Sequence, residues 1–217
     1  MFLKIKPTHF SSKLDLKLFI YSNLFLIFFL ELNMILAIDL ETTGIPTTKR
    51  FREYYPPTET KFYDNSRIVS IAIVTDDGKE FYSIIKPTDF EIHNEKFHGI
   101  SNLTAQEKGI PLQDFFTSEL IELIQSSELI IGHNIDFDFN ILQSELYRQK
   151  LFHLFDIFKI KKTECSMVLG KEYLKTDRYP RLSDLYLKLF DSTFLNPHHA
   201  LSDANASLKC YNKIKNN

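Results

Sequence analysis

The chain is short of three things, and each shortage narrows what it can be. It holds only two cysteines in 217 residues, Cys165 and Cys210, far apart and outside any Cys-x-x-Cys pattern. That excludes a disulfide framework and a zinc motif and makes a reducing intracellular compartment, such as the cytoplasm, the default. An excess of charge of one sign is also missing: 26 basic and 28 acidic residues leave a net charge of −2. A uniformly basic nucleic-acid coat is excluded, although a nuclease whose site is full of acids can look neutral overall and still carry local basic patches. The third shortage is of long apolar runs. Leu18 to Leu30 extends for about 13 residues and is interrupted by Tyr21, Ser22 and Asn23, whereas a membrane span needs about 20. Lys4, Lys6, Lys13 and Lys17 precede this run in the manner of a signal peptide, but no small-x-small cleavage site follows. Residues 1–33 therefore read as an N-terminal extension, disordered or lying upstream of a natural start at Met34. The apolar run leaves targeting open, and no membrane association is expected.

What remains is an ordinary globular composition, 44% hydrophobic and 25% charged, long enough for one well-packed domain over residues 34–217. Its organising stretch is Met34 to Gly44. The first half is almost wholly apolar, as suits a strand buried on both faces of a mixed or parallel sheet. Asp39 and Glu41 interrupt it. Residues two apart on a strand point to one face, roughly 7 Å apart, so two carboxylates stand side by side where a core strand ends. Such a pair either turns to water near the Thr-Thr-Gly turn or is neutralised by a divalent cation, and the second reading requires further carboxylates from elsewhere.

Beyond the turn, residues 45–66 read as a long loop, with Pro46, Pro56 and Pro57 against regular structure. Lys49, Arg50 and Arg52 interleave there with Phe51, Tyr54 and Tyr55. That mixture suits phosphate contacts and base stacking, and equally suits a cover over a sheet edge. Arg67 to Thr75 and Glu80 to Lys86 are strands joined by the Asp77-Gly78 turn. Thr104-Ala105-Gln106-Glu107 has capping-box form, and Pro111 opens a helix running through Ile124. Glu128 to Gly132 is a strand leading into a helix that ends near Lys150, a β-turn-α unit whose acids, Asp136 and Asp138, sit where ligands gather in α/β sheets. Cys165 to Leu174, Leu182 to Phe190 and His199 to Ile214 have helical patterns. His198 stands at the entry of the last helix and Asp203 in its second turn.

Three segments then take on meaning together. Asp39-x-Glu41-Thr42-Thr43-Gly44, His133-Asn134-x-x-Phe137-Asp138 and His198-x-Ala200-Leu201-x-Asp203 stand in the order and spacing of the three motifs of the DEDDh 3'-5' exonucleases. The chain from about Met34 to Lys213 resembles these proofreading-exonuclease-like, DNA polymerase III epsilon-like members of the ribonuclease H-like superfamily. His98-Gly99-Ile100 resembles a weaker segment of the same group. The resemblance implies an α/β ribonuclease H-like fold with a central five-stranded mixed sheet flanked by helices. It implies that Asp39, Glu41, Asp138 and Asp203 hold two Mg2+ or Mn2+ ions, hard cations that take oxygen ligands, with His198 as general base. The motif spacing favours Asp138 over Asp136 and His198 over His199.

Thr42, Thr43 and Gly44 are implied substrate contacts. His98 either reaches a base or sugar or is a satisfied loop histidine. Asn134 and Phe137 support the turn and core. Lys159, Lys161, Lys162, Lys171, Lys175, Arg178 and Arg181 either steer a phosphate chain or form a solvated basic face. The expected activity is removal of nucleoside 5'-monophosphates from a single-stranded 3' end, DNA favoured. RNA trimming with the same site, or a non-catalytic nucleic-acid-binding module, are the alternatives. A homodimer or a polymerase partner is left open.

Overall fold

The computed structural model describes residues 34 to 216, and the expectation for residues 1–33 lies outside them. The strands are β1 (Ile35–Thr42), β2 (Thr48–Arg50), β3 (Glu53–Tyr54), β4 (Ile68–Thr75), β5 (Glu80–Ile84), β6 (Leu129–Gly132) and β7 (Lys162–Cys165). The helices are α1 (Glu95–His98), α2 (Asn102–Lys108), α3 (Leu112–Phe115), α4 (Ser118–Ser126), α5 (Ile135–Arg148), α6 (Phe152–Lys159), α7 (Ser166–Tyr173), α8 (Leu182–Phe190) and α9 (Ala200–Lys215). A five-stranded sheet has the order β5-β4-β1-β6-β7. β1, β4 and β5 form an antiparallel meander, and β6 and β7 continue the sheet parallel to β1. This is the mixed sheet of a ribonuclease H-like fold.

The alternation of β1 explains why it is central. Leu36, Ile38 and Leu40 point into the larger core, where they meet Ile135, Ile141 and Leu142 of α5 and Leu120 and Ile124 of α4. Ala37 points the other way, into a second cluster with Ala72 of β4 and Ala200, Ala204 and Leu208 of α9. Small residues on both the strand and the helix let α9 lie close to the sheet. Asp39 and Glu41 continue the Ala37 face, so the two acids come up beside the start of α9. All eight residues of β4 are buried, as expected of a strand covered on both faces.

Several elements differ from the sequence reading. The fifth strand, β7, is Lys162-Thr163-Glu164-Cys165, where no strand was expected; it is an edge strand with only Cys165 buried, so its residues carry no apolar signal. The helix expected from Pro111 through Ile124 is two, α3 and α4, separated at Phe116 and Thr117. The Thr117 hydroxyl accepts a hydrogen bond from the Leu120 N–H (3.3 Å) and starts α4 afresh. The cap of α2 is Ser101, whose hydroxyl accepts from the Thr104 N–H (3.0 Å), one turn before the expected capping box. α6 was not anticipated. Residues 45–66 are not structureless either. β2 and β3 form a hairpin, and a 3-10 turn at Thr60–Tyr63 sends the fully buried Tyr63 ring into the main core.

An ion network with the buried Arg67–Glu145 pair at its centre ties this segment to the sheet. The Arg67 guanidinium, at the foot of β4, donates to Glu145 of α5 and to Asp89 (2.8 Å), while Arg148 reaches Asp64 (2.8 Å) and the Thr60 carbonyl (2.7 Å). Both cysteines are free and buried. Among the described residues, no helix is long and apolar enough to cross a membrane.

Candidate active site

Three of the four acids meet at the open end of β1. Carboxylate oxygens of Asp39, Glu41 and Asp203 all lie within 4.8 Å of one another. The strand supplies the first two. α9 supplies the third from its first turn, where the Asp203 N–H donates to the His199 carbonyl (3.0 Å).

Asp138 arrives by another route. β6 pairs with β1 only from Ile35 to Ala37, so the edge of β1 beyond Ala37 is open on that side. α5 begins there, after Asn134 turns the chain at φ 69°. Asp138 Oδ1 accepts the Leu40 N–H (3.0 Å), which holds a buried carboxylate against the strand that carries Asp39. Asp138 stands outside the trio that closes within 4.8 Å, yet its charge acts on Asp39. Asp136, two residues earlier, faces away and pairs with Arg52 (Nε to Oδ2, 2.8 Å). Two residues on a helix are about 200° apart around its axis, so only one of these acids can reach the strand end.

Burial raises every member of the group, and repulsion between carboxylates adds to it for Asp39, Glu41 and Asp138. Asp39 is pushed well above the usual carboxylate range, by burial first and then by Asp138, Asp203 and Glu41. Burial and Asp203 push Glu41 up to about 7. Asp203 is pushed up to about 6 by burial, against the lowering effect of the His198 N–H and ring. Burial also raises Asp138, outweighing the hydrogen bond from Leu40. Such a set takes up protons or a cation to relieve its charge.

A divalent cation fits it. The donors are all carboxylate oxygens, the preference of Mg2+, Mn2+ or Ca2+, and Asp203 Oδ1 is buried with no hydrogen-bond partner. Asp39, Glu41 and Asp203 would hold the ion, with Asp138 beside them.

His198 and His199 diverge. His198 has φ 65°, donates its N–H to Asp203 Oδ2 (3.2 Å), and lines the same cleft as Asp39 and Asp203. The His199 ring stacks on Tyr82 instead, with centroids 4.7 Å apart. The cleft encloses about 580 Å³, and its wall includes His133, Tyr179 and Phe51.

Residues 42–44 form a braced turn. The Thr42 hydroxyl donates to the Gly44 carbonyl (2.8 Å), and that of Thr43 donates to the Asn65 carbonyl (3.1 Å) and accepts from the Arg67 N–H (2.9 Å). A β-carbon on Gly44 would come within 2.7 Å of the Asn65 carbonyl oxygen, so glycine is required by close approach. His98 is buried. Its Nδ1 accepts from the Ile100 N–H (3.1 Å), so Nε2 carries the proton and faces Asn94 Oδ1 (3.2 Å), while the Asn94 amide donates to the Thr42 carbonyl (2.7 Å). Its ring nitrogens are thus both occupied, and it acts on the turn through Asn94.

His133 is the residue whose place the sequence reading did not foresee. Burial lowers it to about 4. The neutral ring bridges Ser166 (3.0 Å) and the Pro180 carbonyl (3.0 Å), fixing the loop before α8 against the end of β6. The signal available was its strand-end position ahead of Asn134.

A cluster of half-buried carboxylates backed by the buried Asp138, at the carboxyl end of the central strand of a ribonuclease H-like sheet, is the arrangement of a DEDD-type, divalent-metal-using nuclease. The exonuclease family RNase_T matches residues 36–211, and the chain belongs to that family. No curated protein matches significantly.

Solved structures share the fold at low identity. Escherichia coli exonuclease I in complex with a dT13 oligonucleotide is 19% identical at a TM-score of 0.61, covering 84% of this chain and 41% of that one. Schizosaccharomyces pombe Pop2p, in a form with Mg2+ and Mn2+ bound, is 19% identical at 0.61, covering 90% and 88%. The structure of the yeast NOT1 MIF4G domain co-crystallised with CAF1 gives 15% identity at 0.60, covering 90% and 86%. This chain therefore spans about two fifths of the exonuclease I chain.

Proposed function

We propose that the protein is a 3'-5' exonuclease that removes nucleoside 5'-monophosphates from single-stranded nucleic acid, DNA in preference to RNA. The reading is carried by the convergence of Asp39, Glu41 and Asp203 within 4.8 Å of one another, beside a histidine held by one of those same acids. Two divalent cations, when bound, would supply Lewis-acid stabilisation of the charge that builds on the phosphate and the leaving 3' oxygen. The chain's residues do the rest. His198, at the cleft wall and with its backbone fixed to Asp203, is the base that accepts a proton from the attacking water; neutral imidazole near physiological pH is suited to that task. Asp138 ties α5 to β1 and adds the fourth charge to the group. The rigid turn of Thr42, Thr43 and Gly44, buttressed by Asn94 and His98, shapes the floor on which the terminal nucleotide lies.

Oligonucleotides labelled at either end, incubated with Mg2+ and then with EDTA, test the reading. A stepwise ladder from the 3' end that disappears with EDTA is expected. Metal-independent cleavage, or shortening from the 5' end, would overturn it. The same strand synthesised as DNA and as RNA, in competition, decides the sugar preference.

A further inference from the structure

The tip of the β2–β3 hairpin breaks a local rule. Its two central residues are Phe51 and Arg52, with Arg52 at φ 62°, where turns of this kind favour glycine, asparagine or aspartate. Phe51 is 72% exposed, an unfavourable place for a phenyl ring unless something covers it. It is not alone. Tyr179, from the loop before α8, lies with its ring centroid 5.7 Å from that of Phe51, and both line the cleft that holds Asp39, His198 and Asp203.

Each ring is held from behind. Arg52 is paired with Asp136 in the first turn of α5, which pins the hairpin to the helix that carries Asp138. The neighbour of Tyr179, Pro180, is hydrogen-bonded through its carbonyl to His133. Lys171 Nζ sits 4.8 Å from the centre of the Tyr179 ring, and Arg181 is on the same wall. Among the described residues neither is in an ion pair.

We propose that Phe51 and Tyr179 form an aromatic shelf on which an unpaired base of the substrate strand stacks, with Lys171 and Arg181 taking the phosphate beside it. The proposal rests on the exonuclease reading and specifies its substrate: the strand must be single-stranded for its base to leave a duplex stack and reach the shelf. Aromatic rings beside unpaired cations are the general recognition chemistry of single strands, since every base offers a flat face and every linkage a negative charge.

Fluorescence anisotropy with a short 5'-fluorescein-labelled oligodeoxynucleotide tests it, in the Asp203→Asn background so that the strand is not consumed. Adding Phe51→Ala or Tyr179→Ala should weaken binding about 5- to 150-fold, the range for loss of one stacked base, and Phe51→Trp should restore it. The same strand is then given one abasic site at each 3'-terminal position in turn. At the stacked position the abasic strand should bind wild-type and Phe51→Ala side chains equally, whereas at other positions the difference should persist. Equal binding by Phe51→Ala and Phe51 on the intact strand, or a loss that no abasic position removes, would overturn the shelf. Activity of the unmodified protein on the intact strand decides the exonuclease reading separately: a working exonuclease with an indifferent Phe51 refutes only the shelf.

Discussion

Asp203 makes three contacts of consequence: with Asp39 and Glu41 through space, and with the His198 N–H through a hydrogen bond. Asp203→Asn keeps the shape and loses the charge, so metal-dependent turnover should fall by at least about a thousandfold while the fold survives; a rate assay beside a thermal melt checks both. Stability should depend on pH in the sense opposite to most carboxylate-rich proteins. Glu41 and Asp203 are raised in the folded state, to about 7 and about 6. Their stabilising contribution is therefore complete below their ordinary values of 4.5 and 3.8 and is lost as pH rises through about 6 to 7. Thermal melts in EDTA should show a lower Tm at pH 8 than at pH 5, and Mg2+ should recover most of the difference, because a cation favours the ionised forms. Glu41→Gln should raise the metal-free Tm at pH 8 and abolish the Mg2+ response. At this scale the motif spacing favours Asp138 over Asp136 and His198 over His199 as candidates, and the two members of each pair lie apart in space: Asp136 is turned to Arg52 by helical rotation, and His199 is stacked on Tyr82.

At the scale of elements, the end of β1 is kept in place by what surrounds it. The Arg67–Glu145 pair is buried on both sides, so Arg67→Ala leaves the Glu145 carboxylate with only the more distant Arg148 Nε (3.3 Å) as its cation and should cost about 3 kcal/mol, measurable by chemical denaturation. Gly44→Ala should displace the turn from residue 65 and lower activity more than stability. That comparison separates a turn that shapes the floor of the site from one that merely closes a loop. β1, β4, β5 and β6 were legible because their runs are apolar or alternating. β7 was not, since an edge strand of Lys, Thr and Glu has no pattern that separates it from a loop, and its pairing with β6 supplies what its side chains do not.

For the whole molecule, we propose that residues 34–217 fold as one unit around the two faces of the sheet, and coincident thermal transitions by circular dichroism and tyrosine fluorescence should show it. A net charge of −2 implies that nucleic-acid affinity comes from a few local cations. Raising salt from about 50 to about 200 mM should then weaken single-strand binding by about 7- to 20-fold, the effect of two or three phosphate contacts. The sequence alone determined the fold class and singled out the candidate acids Asp39, Glu41, Asp138 and Asp203 and the candidate base His198 in their order, because such chemistry requires particular residue types at particular local spacings. Only the tertiary structure decided which carboxylates close into a trio and that Asp138 is engaged by Leu40. It alone showed that His98 serves the turn from within and that Phe51 stands over the cleft beside Tyr179. Those outcomes depend on contacts between segments distant in the chain, where packing, burial and a shared hydrogen bond leave no periodic trace in either partner.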